Sequence, residues 1–389
     1  MSVFKMPSLG ADMESAVLME WKVKAGDKVD KNDVIAEVET SKGVIEIEVF
    51  ETGTVDTLLG EPGTEYAVGT PLALIRTENE TAEQLQAALA ELSGGAPAAA
   101  APREQKPKPA QAKPEPAETR RAEISPAARK RAQELGVDLD ALAAATAGKI
   151  GLDAVEAAAK PKKHEGIRPE GMRDAIAKAM GRSNAEIPHY YLSTPINMTP
   201  ALEWLEAQNE QRSIKERILP AALLIRAVVK ALAAVPELNG FWKENTLKMS
   251  AAVHPGIAVA LRSGGLITPA LIDANTMDLD QTMAALHDLI TRTRSGKLRS
   301  SEMTQQTIVI TNLGDLGVER VYGVIYPPQV ALVGFGQIAD APWAEGGTLT
   351  VKKVMQATLA GDHRATDGRI GAFFLTRLNQ LLQTPEELL

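Results

Sequence analysis

The 389-residue sequence predicts a multidomain protein in which an all-β sandwich, a small helical segment and an α/β domain follow one another. Three observations carry this reading. Apolar and polar residues alternate with period two in the first 78 residues. A proline- and alanine-rich stretch without large apolar residues comes next. Beyond residue 167, a long apolar helix pattern precedes several strand-like runs.

The first unit, residues 1–78, alternates in VIAEV (Val34–Val38) and again in Ile45, Ile47 and Val49 against Glu46 and Glu48, the pattern of half-buried strands. It also repeats itself. AGDKVDKNDVIAEV (Ala25–Val38) aligns with PGTEYAVGTPLALI (Pro62–Ile75), superposing Gly26 on Gly63, and two such halves predict a two-fold sandwich of short antiparallel strands. Between the halves, ETSKG (Glu39–Gly43) reads as a hairpin with Lys42 at its tip, where Gly43 supplies the positive φ a tight turn needs.

Residues 79–122 form a linker. Its stretch from Ala96 to Arg121 consists of Ala, Pro and charge, cannot bury a core, and in polyproline II would reach about 80 Å as a semi-rigid tether. Residues 123–156 are brief and helical: Ser125-Pro126 starts a helix, Gly136 stops it, and Arg129, Lys130 and Arg131 make it basic. A second linker, 157–166, leads to the α/β unit, 167–389. There LPAALLIRAVVKALAAV (Leu219–Val235) is apolar nearly all round and predicts a buried helix ending before Pro236. Strand-like runs follow at Gly256–Leu261, Thr307–Thr311, Val330–Gly334 and Met355–Ala360, with a helix at Leu279–Arg294, so helices pack on a mixed sheet.

Composition narrows the chemistry. The absence of cysteine excludes disulfides, thiolate-held metals and a cysteine nucleophile. Residues 1–78 carry 15 acidic and 7 basic side chains, which accounts for the whole net charge of −8. That acidity argues against nucleic-acid binding and favours docking to proteins. No apolar run spans a membrane and no signal-type start occurs, so a soluble, cytoplasmic protein is expected.

Among five histidines, His363 stands apart, because GDHRATDG places it just after an apolar strand with Asp362, Arg364 and Asp367 beside it. His164, His189, His254 and His287 read as surface or satisfied core. No nucleophile elbow for a serine hydrolase is present, and no metal site is expected. Thr311 in ITNLG ends a strand with a hydroxyl, either an ordinary strand exit or an oxyanion donor.

Taken together, ETSKG, the Ala/Pro tether, SPAARKRAQELGVDL, PELNGFW, GLITPAL, ITNLG, YPPQVALVGFG and DHRATDG resemble the dihydrolipoamide acyltransferases of 2-oxo acid dehydrogenase complexes over nearly the whole chain. The resemblance implies a lipoyl domain with lipoate amide-linked to Lys42. It implies a peripheral-subunit-binding domain whose Arg129, Lys130 and Arg131 dock the decarboxylase or the dihydrolipoamide dehydrogenase, and a chloramphenicol-acetyltransferase-like catalytic domain. It makes His363 the general base for coenzyme A, Asp367 its nearby partner and Thr311 the oxyanion donor. Catalytic domains of that family form homotrimers or larger shells, with His363 of one subunit facing Thr311 of the next. Both reacting sulfurs then come from cofactors, which suits a chain without cysteine. Acetyl is the expected cargo, a branched-chain acyl group the alternative, and a non-catalytic lipoyl-bearing scaffold the reading from another class. Departures from the pattern are Ser41 before the lysine, AATAGKIGLDAV in the middle segment, Gln305-Gln306 in place of a glycine pair, and an ending at TPEELL without an apolar tail.

Overall fold

In the first unit the alternation yields two four-stranded antiparallel layers. The computed structural model describes residues 2–9, 13, 15–40, 43–76, 169–261 and 265–389. Both linkers, the basic helix with Arg129, Lys130 and Arg131, and the Ser41–Lys42 connection lie outside the described residues. Strands β1 (Ser2–Lys5), β2 (Ser15–Trp21), β3 (Lys28–Val29), β4 (Val34–Thr40), β5 (Gly43–Glu48), β6 (Gly53–Leu58), β7 (Glu65–Ala67) and β8 (Pro71–Arg76) order as β1-β8-β6-β3 in one layer and β5-β4-β2-β7 in the other. Each strand thus has a counterpart four strands later in the opposite layer. Gly26 and Gly63, superposed by the repeat, have φ of 97° and 84°, and Asn32 and Gly69 form a second matched left-handed pair. Ile35, Val38, Ile47 and Leu72 fill the space between the layers with full burial. Thr40 pairs with Gly43, so two residues, Ser41 and Lys42, connect β4 to β5.

The α/β unit begins with α1 (Pro169–Glu186), β9 (His189–Asn197), α2 (Thr199–Glu210) and α3 (Pro220–Ala234). It continues through β10 (Gly240–Lys243), β11 (Thr246–Met249), β12 (Pro255–Ile257), β13 (Val259–Ala260), β14 (Leu266–Ile267) and α4 (Leu279–Ser295). The last elements are β15 (Leu298–Arg299), α5 (Ser300–Thr304), β16 (Ile308–Asn312), β17 (Ala331–Phe335), β18 (Ala339–Glu345), β19 (Thr348–Asp362) and α6 (Gly368–Gln383). Proline at the first turn starts α3, and ten of its fifteen residues are buried. Helix α4 opens on a capping box between Asp278 and Gln281 and closes on Gly296 at φ 74°.

The sheet is mixed, as expected. Strands β12, β16 and β17 run parallel, and β19 is antiparallel to β17, β18 and β9. Helices α3 and α6 pack together over it, joining Leu223, Val228, Phe374 and Leu378 to Ile310, Val333 and Leu359 in one core. One expected strand is corrected. The run Gly256–Leu261 does not form a single strand: β12 pairs with β16, whereas β13 leaves to pair with β14. The run is divided between two partner strands, a division that local pattern does not reveal.

Candidate active site

Strand β19 is fifteen residues long, and its inner end is buried without interruption from Ala357 to Asp362. This rigid strand delivers His363 to the turn that precedes α6. The His363 backbone N–H donates to Pro188 O at 3.0 Å, and the Asp362 N–H donates to Val330 O at 2.9 Å, so the backbone at the histidine is fixed from two sides. Its ring is exposed and stands edge-to-face with Tyr190 at 5.4 Å between centroids. The Tyr190 hydroxyl shares a 2.9 Å hydrogen bond with Thr366 Oγ1, and burial raises the phenol pKa. Gly361 makes this packing possible: a Cβ there would lie 2.3 Å from the Tyr190 ring.

Beneath the turn lies an ion pair. Asp362 is fully buried, and Arg364 returns to it with Nε at 3.0 Å from one oxygen and Nη2 at 2.7 Å from the other. The Arg364 backbone N–H donates to the same carboxylate at 2.9 Å. Hydrogen bonding to Asp362 raises the guanidinium pKa, and the guanidinium also covers the Trp242 ring at 5.2 Å. Removing the cation would leave a buried carboxylate with a single backbone donor. Because Arg364 is itself solvent-exposed, we expect Arg364→Ala to destabilise the α/β unit by about 1–3 kcal/mol, the cost of leaving a buried acceptor under-satisfied, read as a fall in Tm.

Asp367 does not hydrogen-bond to His363 among the described residues. Its Oδ1 accepts the backbone N–H groups of Arg369 at 2.9 Å and Ile370 at 3.0 Å, making it the N-cap of α6. The carboxylate charge also acts on Tyr190, the ring beside the histidine. The geometry accounts for Asp367 as the cap of α6. Asp367→Ala should cost about 1 kcal/mol of stability in thermal unfolding, whereas Asp367→Asn, which keeps the capping oxygen, should retain both stability and activity.

Thr311 sits near the end of β16, half-buried, and its hydroxyl makes no hydrogen bond among the described residues. The next residue, Asn312, turns the chain by accepting the Gly314 N–H at 2.8 Å. Register places Thr311 far from His363 within one chain. Thr311 pairs with Gly334, Gly334 with Thr358, and Asp362 lies four residues beyond Thr358. His363 is one residue further on, so at about 3.3 Å per residue and about 4.8 Å between strands the two positions are roughly 19 Å apart. Within one chain the two groups therefore do not share a site.

Sequence reasoning missed Tyr190 and the Asp362–Arg364 pair as elements of the site. The signal for the pair was present in DHR, where a carboxylate and a guanidinium flank the histidine. His189 is half-buried with both ring nitrogens engaged: Nδ1 lies 2.9 Å from Ile187 O and Nε2 accepts the Ile325 N–H at 3.1 Å. His254 accepts the Asp273 N–H through Nδ1, and burial lowers its pKa.

A two-fold β-module joined to an α/β unit that presents an exposed, backbone-locked histidine is the build of a carrier-fed acyltransferase. Comparison with known proteins agrees. A family model described as 2-oxoacid dehydrogenases acyltransferase (catalytic domain) matches residues 161–389, and one described as biotin-requiring enzyme matches residues 2–75. The lipoamide acyltransferase component of the branched-chain alpha-keto acid dehydrogenase complex of Pseudomonas aeruginosa is 33% identical over 99% of this chain and 98% of its own. The acetyltransferase component of the acetoin cleaving system of Bacillus subtilis is 31% identical over 99% and 98%. Among solved structures, a probable dihydrolipoamide acetyltransferase from Listeria monocytogenes superposes with a TM-score of 0.52 at 25% identity, over 58% of this chain and 96% of its own. The chain belongs to the family of 2-oxoacid dehydrogenase acyltransferases. It is an enzyme that moves acyl groups from dihydrolipoyl-lysine to coenzyme A, and its β-module is a lipoyl domain.

Proposed function

We propose that the chain transfers acetyl groups from lipoate carried on Lys42 to coenzyme A, as the trimer-based core of a 2-oxo acid dehydrogenase complex, with His363 as general base. The observation that supports this best is the exposed His363 ring on an anchored turn, with a Thr311 hydroxyl that makes no hydrogen bond among the described residues and is too distant to serve the same histidine within one chain.

The β-module fits lipoate. Thr40 and Gly43 pair across a two-residue connection, with the Thr40 hydroxyl donating to Gly43 O at 3.0 Å and Gly43 at φ 118°, so the amine of Lys42 belongs to a hairpin connection that can be acylated without opening the sandwich. When bound, lipoate supplies a thiol that holds the acyl group as a thioester. The protein supplies the rest. His363 removes the proton of the coenzyme A thiol, which is only a few per cent thiolate at neutral pH. The new C–S bond forms at the acyl carbonyl, and the Thr311 hydroxyl of a neighbouring subunit donates to the developing oxyanion. Breakage of the old C–S bond returns the proton from the imidazolium to the departing sulfur, so no net charge is created.

Peripheral subunits are the decarboxylase and the dihydrolipoamide dehydrogenase, bound through the segment containing Arg129, Lys130 and Arg131. A cytoplasmic location accompanies this reading. Among the described residues no helix is long and apolar enough to cross a membrane. A branched-chain cargo is the second reading, favoured by the 33% identity to a branched-chain component. Turnover with acetyl, isobutyryl and succinyl donors decides between them: kcat/KM should be highest for acetyl, and a higher value for isobutyryl would transfer the assignment.

A further inference from the structure

Strand β15 belongs to the catalytic part of the chain, yet it extends a sheet of the lipoyl domain. Leu298 pairs in parallel with Ile45, and Arg299 with Glu46. Immediately beyond, the Glu48 N–H donates to Ser300 Oγ at 3.2 Å, and the Ser301 N–H donates to Glu48 Oε2 at 3.1 Å. Glu48 is 3% and Ser300 2% exposed, so the contact excludes water. Met303 packs against the apolar cores on both sides. Behind this segment, Arg292 clamps Glu302 through Nη1 at 2.7 Å and Nη2 at 2.5 Å, and the Arg299 N–H donates to the same carboxylate at 2.9 Å. The turn that presents β15 is therefore held in place from the catalytic side. Residues 1–81 and 167–389 accordingly group as one unit.

In the four-stranded layer β5-β4-β2-β7, β5 is an edge, with backbone groups open to a further strand. We propose that residues 298–303 are a docking site for the chain's own lipoyl domain, gripping β5, the strand that follows the Ser41–Lys42 connection, between visits to other subunits. The recognition is strand addition, with Glu48 and Met303 fixing its register. The contact is small, which suits a domain that must leave again. The covalent connection through residues 77–168 keeps the local concentration of the lipoyl domain near about millimolar, so a weak contact is still populated. The inference rests on the carrier role proposed above, but the contact itself does not involve Lys42.

The absence of cysteine provides the test, since Glu46→Cys with Arg299→Cys creates a chain with two thiols only. In the full-length protein a short bis-maleimide should link them within one chain about 10-fold faster than it links the control pair Glu46→Cys with Lys215→Cys. Lys215 lies near Arg212, which holds Asp280 at the start of α4, whereas residue 299 follows the end of that helix, about 25 Å away along its axis. Adding Glu48→Lys, or Ser300→Asp on the facing side, should return the fast pair to the control rate. Equal rates for the two pairs would overturn the proposal, as would linkage formed only between chains. Transfer from free S-acetyldihydrolipoamide to coenzyme A, measured on the same variants, reports the proposed chemistry separately, so either reading can fail without the other.

Discussion

Replacing His363 with Ala is expected to lower kcat for acyl transfer about 10²–10⁴-fold, the range a positioned base contributes, with little change in KM for coenzyme A. The reason lies in the thiol. Without a base the reaction draws on the small thiolate fraction present in solution, while binding, which the imidazole does not dominate, persists. Thr311→Ala should lower kcat about 10²–10³-fold through loss of the oxyanion donor. The two variants together test the assembly. If His363 of one subunit works with Thr311 of the next, a random mixture of the two inactive chains in a cyclic trimer restores the full pair at about a quarter of the interfaces. Refolding or co-expressing the two chains in equal amounts and measuring kcat reads this directly. No recovery on mixing would place both groups in one chain and contradict the separation of roughly 19 Å given by the strand registers.

The second large effect is a division of activity. Lys42→Arg keeps a positive charge at the hairpin but removes the primary amine that can form the amide with lipoate. Turnover that begins with a 2-oxo acid and the decarboxylase should be abolished, whereas transfer from free S-acetyldihydrolipoamide to coenzyme A should keep the parent kcat. The sandwich should fold unchanged, because its core consists of Ile35, Val38, Ile47, Leu72 and their neighbours, and the Thr40–Gly43 pair joins β4 to β5 without the lysine. Mass spectrometry of protein from a lipoate-competent host supplies the independent check, with Lys42 modified in the parent. A parent chain always unmodified at Lys42 would remove the carrier assignment, leaving the His363 chemistry to be judged by itself.

Local sequence was most informative where burial is periodic or where backbone conformation demands a particular residue. The repeat between Ala25–Val38 and Pro62–Ile75 appears in space as matched strands and matched left-handed glycines, since the same short-range pattern meets the same sheet geometry twice. The apolar run from Leu219 became helix Pro220–Ala234, bounded by proline at its start. The run Gly256–Leu261 misled for the opposite reason: continuous apolarity says that residues are buried but not against what, and two different partners divided it. At the site, GDHRATDG marked His363 correctly as the residue after a buried strand. It did not reveal that Asp367 is occupied in capping α6 while Asp362 lies buried beneath the turn, because both are simply carboxylates near a histidine until the helix start and the sheet edge are known.

Sequence alone was sufficient for the inventory: a two-fold β-module with a lysine between its halves, an α/β unit with a histidine at a strand end, and no thiol of its own. Tertiary structure decided which groups can meet. Thr311 and His363 lie 52 positions apart in the chain, but whether they share a site depends on how β16, β17 and β19 are registered, and those registers separate them. The pairing of β5 with β15 likewise joins residues some 250 positions apart, through strand pairing and the Glu48 and Ser300 contacts beside it, none of which a local pattern announces. Periodicity and capping are properties of neighbouring residues. Register and docking arise from long-range backbone pairing, to which any sequence of suitable alternation could contribute.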